Sequence, residues 1–149
     1  MMAAWPQVCV CRMPLMFGTG GPSGTSFLQP ALQALREGRP LRLFTDEYRT
    51  PVSAQWASRG LLMAAESGCS GVLHLGGSER ISRYAMGLAI AHVWGLNAAA
   101  ITPSKQSDVS LAAPRPPDVS LDSQVAARMG YRPGPLRAQL AAVRDEQQD

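Results

Sequence analysis

The chain is short of lysine, aromatic residues and long apolar runs, and each shortage excludes a class of protein. Lys105 is its single lysine, against thirteen arginines in 149 residues, and the net charge of +3 is scattered without a basic run. Because no basic patch alternates with aromatic side chains, a nucleic-acid partner is not indicated. No apolar run reaches the roughly 18 residues of a membrane span, and no secretion signal is visible. We therefore expect no membrane partner and a cytoplasmic location.

Metal-binding and disulfide patterns are missing as well. Cys9, Cys11 and Cys69 form no CxxC motif and are odd in number, so we expect free, buried thiols in a reducing compartment. His74 and His92 stand alone, with no third ligand at a metal-site spacing. The sequence predicts no metal site.

The strongest local pattern lies in residues 71–96, GVLHLGGSERISRYAMGLAIAHVWGL. It predicts a strand over 72–75, a glycine turn, an N-cap at Ser78 or Ser82 and a helix that ends at Gly95. A strand that leads into a helix is half of a βαβ unit. A chain of this length can bury a core of its own, so the pattern predicts an α/β fold built on a parallel sheet.

The remaining elements follow the same alternation. In the helix expected after Ser53, the apolar spacing predicts that Trp56, Leu61, Leu62 and Ala65 form the buried stripe. The composition predicts a polar loop over residues 46–51. Over residues 103–117 it predicts a connector with neither helical nor strand periodicity. The other predicted elements are strands over 8–13, 41–44 and 98–101, and helices over 27–35, 54–66, 123–129 and from 135 onward.

A glycine-rich segment after the first strand imitates a dinucleotide-binding loop. Gly18, Gly20 and Gly24 are spaced as GxGxxxG, whereas the dinucleotide fingerprint is GxGxxG. Pro14 also ends the strand four residues before the first of these glycines. The spacing favours an ordinary loop over a nucleotide cradle.

Groups for acid–base or nucleophilic catalysis are not visible. Asp46 and Glu47 are adjacent and point apart, no serine lies in a GxSxG context, and no tyrosine is followed by a lysine four residues on. We predict no catalytic residue. Arg49 and Arg115, in DEYRTP and APRPPD, are better candidates, because a guanidinium beside a stiff backbone suits bidentate binding of phosphate or carboxylate. Spacing alone nevertheless favours solvated loop arginines.

Five motifs in order change this interpretation: RMPLMFG, LRLFTDEYRTPVS, GVLHLGGSERISRYAMGLAIA, APRPPDVSLDS and GYRPGPLRAQL. Together they resemble the C-terminal, substrate-binding half of an extended short-chain dehydrogenase/reductase of the dTDP-4-dehydrorhamnose reductase (RmlD-like) group. The resemblance covers Val8 to Leu140. It implies the C-terminal part of a Rossmann-like parallel sheet plus a small, mostly helical substrate-binding lobe, with residues 1–149 as an RmlD-like substrate-binding portion.

The resemblance also assigns roles to residues. It implies that Met13, Pro14 and Leu15 approach the nicotinamide end of the NAD(P) cofactor. It places Arg49 and Arg115 on the substrate side, where the phosphates of a nucleotide-sugar are held. This implication agrees with the phosphate chemistry of the two arginines and reverses the reading of them as solvated loop residues, more weakly for Arg115.

The departure from the family is large, because its glycine-rich fingerprint, catalytic Ser/Thr and Tyr-x-x-x-Lys pair are missing. The resemblance therefore implies NAD(P) for a full-length enzyme, and we expect no cofactor bound by this chain alone. We expect a truncated NAD(P)-dependent reductase whose edge strand over 8–13 pairs with a complementary N-terminal half or self-associates.

Two other functions stay open at this point. One is a non-catalytic interaction or regulatory protein, as in the regulatory beta subunit of methionine adenosyltransferase, which is similar in fold. The other is a small nucleotide-binding module built on GTGGPSG.

Overall fold

The computed structural model describes residues 5–20, 26–110, 113 and 115–147. Its helices are α1 (Leu28–Arg36), α2 (Ala54–Glu66), α3 (Arg83–Trp94), α4 (Gln124–Arg128) and α5 (Leu136–Asp145). Its strands are β1 (Cys9–Arg12), β2 (Met16–Phe17), β3 (Leu41–Phe44), β4 (Tyr48–Arg49), β5 (Val52–Ser53), β6 (Gly71–His74), β7 (Ile81–Ser82) and β8 (Ile101–Ser104). Short 3₁₀ helices cover Ala98–Ala100 and Gln106–Asp108.

The strands pair mainly in parallel, as the alternation of strands and helices predicts. β1 pairs with β6, β2 with β5 and β3 with β8, all parallel, while β4 and β7 are antiparallel. In the first pair Cys9 lies opposite Gly71 and Arg12 opposite His74. Parallel strands need crossover connections, which the helices provide here. The predicted α/β class with a parallel, Rossmann-like sheet is confirmed.

The predicted strand–turn–helix unit is present and its caps explain its limits. The Ser82 hydroxyl accepts the amide of Ala85 at 3.2 Å and so caps the first turn of α3. Gly95 closes α3 in the left-handed region, with φ of 63°, where glycine avoids the Cβ penalty. Ser53 caps α2 in the same way, through the amide of Trp56.

Two apolar cores lie on either side of the segment that follows β1. The larger core joins α1, α3, α5 and β3, and it includes Leu28, Met86, Ile90 and Leu140. The smaller core lies under the β1–β6 pair and includes Ala64, Leu73, Leu75, Ala126 and Tyr131.

The predicted buried stripe of α2 is wrong. Leu61 and Leu62 are 45% and 62% exposed, and the helix buries Ala57, Gly60 and Ala64 instead. At Gly60 an added Cβ would lie 2.9 Å from Cε2 of Tyr131. The close approach of Tyr131 requires small residues on the buried face of α2 and leaves no room for leucine.

One loop assignment and one strand assignment also change. The segment predicted as a polar loop over 46–51 contains β4, and Glu47 and Thr50 within it are buried. The strand predicted over 98–101 begins later, because the Asn97 side chain accepts the amide of Ala99 and caps a 3₁₀ turn before β8. Residues 21–24 of the predicted glycine-rich loop lie outside the described residues, and so do residues 111, 112 and 114 of the predicted connector over 103–117.

None of the helices in the described part of the chain is long and apolar enough to cross a bilayer.

Candidate functional site

The segment after β1 lies at the carboxyl edge of the parallel strands. The amide of Leu75, after β6, donates to the carbonyl of Arg12 at 3.0 Å, and the amide of Val52 donates to the carbonyl of Leu15 at 3.1 Å. Met13 packs against the smaller core and Leu15 against the larger one. Ligands of open α/β sheets bind outside the carboxyl ends of the strands. The predicted cofactor residues, with Pro14 between them, therefore lie at the edge where a ligand is expected.

The extended segment from Glu47 to Thr50 separates two different surfaces. Successive side chains of an extended segment point to opposite sides, so Glu47 and Arg49 share one side while Tyr48 and Thr50 share the other. We call the first side the arginine face, formed by Glu47, Arg49, Arg83 and Arg115. The second is the cleft face, which borders a cavity described below.

On the arginine face, three guanidinium groups surround one buried carboxylate. Oε1 of Glu47 lies 3.1 Å from Nη2 of Arg49 and 3.7 Å from Nε of Arg83. The other oxygen, Oε2, lies 3.6 Å from Nη1 of Arg115. Glu47 is only 4% exposed. Three positive charges against one negative charge leave this face with a net charge of +2.

The three arginines are held to different degrees. Arg49, with a side chain 16% exposed, also donates from Nη1 to the carbonyl of Tyr48 at 2.6 Å. The Arg83 guanidinium lies 3.7 Å from the ring centroid of Phe27. Arg115 is 56% exposed, and within the described residues Oε2 of Glu47 accepts no hydrogen bond. Arg115 is thus the arginine with the greatest freedom to turn toward a ligand.

The charge of the arginine face affects its own titration. Burial lowers the pKa of Arg83 from its ordinary value, and the neighbouring Arg49 and Arg115 lower it further, while Glu47 opposes them. Burial penalises the charged form of a base, and nearby like charges do the same. An additional anion near these arginines would relieve that repulsion.

The cleft face borders a cavity whose lining carries charges of both signs, Arg80 and Arg132 with Asp122. Its cavity has a volume of about 680 Å³, and Thr50, Gly76, Gly77, Arg80, Tyr131 and Arg132 are among the residues that line it. At Gly77 an added Cβ would lie 1.9 Å from the carbonyl oxygen of Pro51. The Gly77 amide donates to the Thr50 carbonyl at 2.9 Å, so glycine is required where the wall of the cavity meets the segment after β4.

Arg80, which borders the cavity, already has partners. Its guanidinium lies 3.6 Å from the ring centroid of Tyr48, and its Nε donates to Asp118 at 2.8 Å. Hydrogen bonds from Ser120, and then Arg80, lower the pKa of Asp118 to about 2. Tyr131 donates its hydroxyl to the Leu75 carbonyl at 3.2 Å, and burial raises its pKa to about 12.

The structure brings the two predicted substrate residues together. Arg49 and Arg115 are 66 positions apart in the chain and meet at Glu47, while neither lines the 680 Å³ cavity. Sequence reasoning missed Glu47 and Arg83. In the sequence Glu47 is adjacent to Asp46. The Asp46 carboxylate does not join the arginine face, because it accepts the Gln106 amide at 3.1 Å. The alternation of Glu47 and Arg49 in an extended segment was the signal that could have found it.

In the part of the chain that the structure describes, no three His, Cys, Asp or Glu side chains are grouped closely enough to hold a metal ion.

Comparison with known proteins gives one family. The family model described as the RmlD substrate binding domain matches residues 1–148. A similar curated protein is the "Probable low-salt glycan biosynthesis reductase Agl14" of Haloferax volcanii, 28% identical over 141 residues, which are 93% of this chain and 47% of that protein.

Solved structures give the same result for the fold. A dTDP-4-dehydrorhamnose reductase from Clostridium acetobutylicum superposes with a TM-score of 0.83 at 18% identity, over 97% of this chain and 50% of that one. The enzyme from Bacillus anthracis, in complex with NADP, gives 0.81 at 14% identity over 93% and 48%. A hypothetical dTDP-4-dehydrorhamnose reductase from Sulfolobus tokodaii gives 0.68 at 28% identity over 80% and 41%. The chain spans about half the length of these relatives.

Proposed function

Because the chain belongs to the family of the RmlD substrate-binding domain, we propose that it provides the nucleotide-sugar side of an NAD(P)-dependent reductase site. The arginine face is the observation that carries this proposal. It presents three guanidinium groups within 3.7 Å of one buried carboxylate. The similarity to dTDP-4-dehydrorhamnose reductases and to a glycan biosynthesis reductase supports a sugar nucleotide as the ligand class.

The charge and geometry of the arginine face favour the diphosphate of such a ligand. A net charge of +2 complements a dianion, and the planar fork of arginine binds phosphate oxygens through two parallel hydrogen bonds. Arg49 and Arg83 are fixed by Glu47, by the Tyr48 carbonyl and by the Phe27 ring. In this proposal they form the preorganised part of the site, and Arg115 turns from Glu47 toward the phosphate.

We place the cofactor at the carboxyl edge of β1. Met13, Pro14 and Leu15 would contact the nicotinamide end of NAD(P), whose role when bound is to exchange hydride with the carbonyl carbon of a keto-sugar. The family relative from Bacillus anthracis was solved with NADP. In this proposal the residues that hold the rest of the cofactor, and those that move the proton, lie outside these 149 residues. This chain binds and orients the sugar nucleotide.

The remaining protein would join along the free edge of β1. In the described ranges β1 pairs on one edge with β6 and has no strand partner on the other. An unpaired edge of a parallel sheet offers its amides and carbonyls to a further strand. We propose that a complementary nucleotide-binding half adds a strand there, and that self-association of this chain through the same edge competes with it.

The phosphate site is tested by calorimetric titration of the 149-residue chain with dTDP. Thymidine, which lacks the phosphates, is the uncharged comparison. Arg49→Ala should weaken dTDP binding by about 1.5–3 kcal/mol, the range for a hydrogen bond to a charged group, and Arg49→Lys should restore only part of it. Arg132→Ala, on the cleft face, is the matched control and should bind like the parent. If Arg132→Ala loses binding and Arg49→Ala does not, the phosphate lies in the cleft and the proposal is wrong.

Calorimetric titration also tests the expectation that this chain alone binds no NAD(P). NADH and NADPH should give no binding heat with the chain alone, because the fingerprint glycines and the Tyr-x-x-x-Lys pair are missing from it. Micromolar binding of either dinucleotide would show that these 149 residues contain a complete cofactor site.

A further inference from the structure

The structure places two cysteine sulfurs in contact at the end of the sheet remote from the arginine face. Sγ of Cys9 and Sγ of Cys69 are 2.6 Å apart, although the residues are 60 positions apart in sequence. Both are free cysteines, and both are partly exposed, so the expectation that these thiols are buried is wrong. We propose that Cys9 and Cys69 are a site of reversible disulfide formation, in which a small-molecule disulfide such as oxidised glutathione serves as the oxidant.

The backbone holds the two sulfurs in place. Cys9 begins β1 and lies opposite Gly71 in the parallel pair, and the Gly71 amide donates to the carbonyl of Val8 at 2.9 Å. Cys69 lies two residues before Gly71, in the turn after α2, where its amide donates to the Ser67 hydroxyl at 3.3 Å. A disulfide bond is about 2.05 Å long. The sulfurs therefore need to move by only about half an ångström, with no rearrangement of the strands.

Cys11 is a poorer partner for either sulfur. It lies two residues along β1 from Cys9, which separates the Cα atoms by about 6.6 Å, near the upper limit for a disulfide. In the sheet it lies opposite Leu73, four positions beyond Cys69. A thiolate metal site is not an alternative, since the three cysteines do not form a metal-binding group in the described structure. Oxidation should therefore select the Cys9–Cys69 pair.

The exchange with oxidised glutathione takes two attacks and gives the same disulfide whichever thiol reacts first. The Cys69 side chain, followed by burial, raises the pKa of the Cys9 thiol to about 12, and in one order Cys69 attacks first. The Cys69 thiolate attacks one sulfur of oxidised glutathione, breaks its S–S bond and releases one glutathione thiolate. Cys9 then gives its proton to that thiolate and attacks Sγ of Cys69, releasing the second glutathione. Two protein thiols are oxidised and one glutathione disulfide is reduced.

The location of the bond predicts its effect. It lies at the amino ends of β1 and β6, whereas Met13 and the arginine face lie beyond their carboxyl ends. Joining positions 60 residues apart restricts the unfolded chain strongly. Oxidation should therefore raise the melting temperature, by about 5–10 °C, and leave dTDP binding, where the parent shows it, unchanged.

The test treats the 149-residue chain with oxidised glutathione, blocks the remaining thiols and maps the unreduced digest by mass spectrometry. We expect one cross-linked species joining Cys9 to Cys69, lighter by two hydrogen atoms and reversed by dithiothreitol. Cys9→Ser and Cys69→Ser should abolish the cross-link, and Cys11→Ser, the matched control, should retain it and the rise in melting temperature. Separate glutathione adducts without a cross-link, or a dominant cross-link through Cys11 in the parent, would overturn the proposal even if a serine variant failed to fold.

Discussion

The arginine face and the cleft face lie on opposite sides of β4 and use arginine in opposite ways. On the cleft face Arg80 is paired with Asp118 and stacked on Tyr48, and the cavity is also lined by Arg132 and Asp122, so its charges are of both signs. On the arginine face three arginines share one carboxylate, so positive charge is left over. Cavity volume would select the cleft as the ligand site, whereas charge selects the arginine face, and phosphate is recognised by charge and hydrogen-bond geometry.

The two faces also differ in what keeps their shape. The cleft depends on a close backbone approach, because Gly77 leaves no space for a side chain beside Pro51. The arginine face depends on a buried ion cluster whose centre is Glu47. Steric contacts between backbone atoms resist change more strongly than ion pairs that water partly reaches, and mutations can separate these effects.

The largest effect is expected at Gly77, where the backbone allows no Cβ. Gly77→Ala places a carbon 1.9 Å from the Pro51 carbonyl oxygen, so the main chain must shift, and we expect a loss of at least about 3 kcal/mol in the free energy of unfolding. Gly134→Ala is the matched control, because no atom lies within 4 Å of its added Cβ. Urea denaturation measures both, and equal losses would show that the Gly77 contact relaxes without cost.

The next largest effect is expected at Glu47. Glu47→Gln leaves three arginines without their buried counter-charge, and we expect a loss of about 2–3 kcal/mol, below the usual range for a broken buried pair because Arg115 is exposed. Asp118→Asn removes the charge that pairs with Arg80 on the cleft face. Both side chains of this pair are exposed to solvent, Arg80 at 50% and Asp118 at 39%. Its effect on unfolding should be smaller, at most about 1 kcal/mol, and a larger effect there than at Glu47 would reverse the comparison.

The smallest effect concerns Tyr131 beneath the cleft. Tyr131→Phe removes the hydrogen bond to the Leu75 carbonyl and should cost about 1 kcal/mol near neutral pH. The pKa of Tyr131 is raised to about 12 in the folded chain, whereas an unfolded tyrosine titrates near 10. The unfolded state therefore loses this proton first, so the parent should lose stability from about pH 10 to 12.

Unfolding measured across that alkaline range checks the sign of this effect. Tyr131→Phe should show a shallower loss of stability than the parent from about pH 10 to 12. Parallel curves for the parent and Tyr131→Phe would mean that the Tyr131 proton does not distinguish the folded from the unfolded chain.

Local patterns in the sequence determined the helix limits and the family. Ser53, Ser82 and Gly95 act within a few residues of the helix ends they terminate, so their effect is visible in a short window of sequence. The alternation of strands and helices predicted the parallel sheet, and five ordered motifs predicted the family that matches residues 1–148. Local composition also selected Arg49 and Arg115, which the structure brings together at Glu47.

The tertiary structure alone decided which side chains are buried and which charges meet. Gly60 faces inward because Tyr131, 71 positions later, occupies the space beside it, and no periodicity within α2 carries that information. Glu47 lies against both Arg83 and Arg115, which come from separate parts of the chain. The order of charges along the sequence does not show that these three residues meet. Capping is a contact between near neighbours in the chain, whereas burial and ion clustering depend on distant segments that only folding brings together.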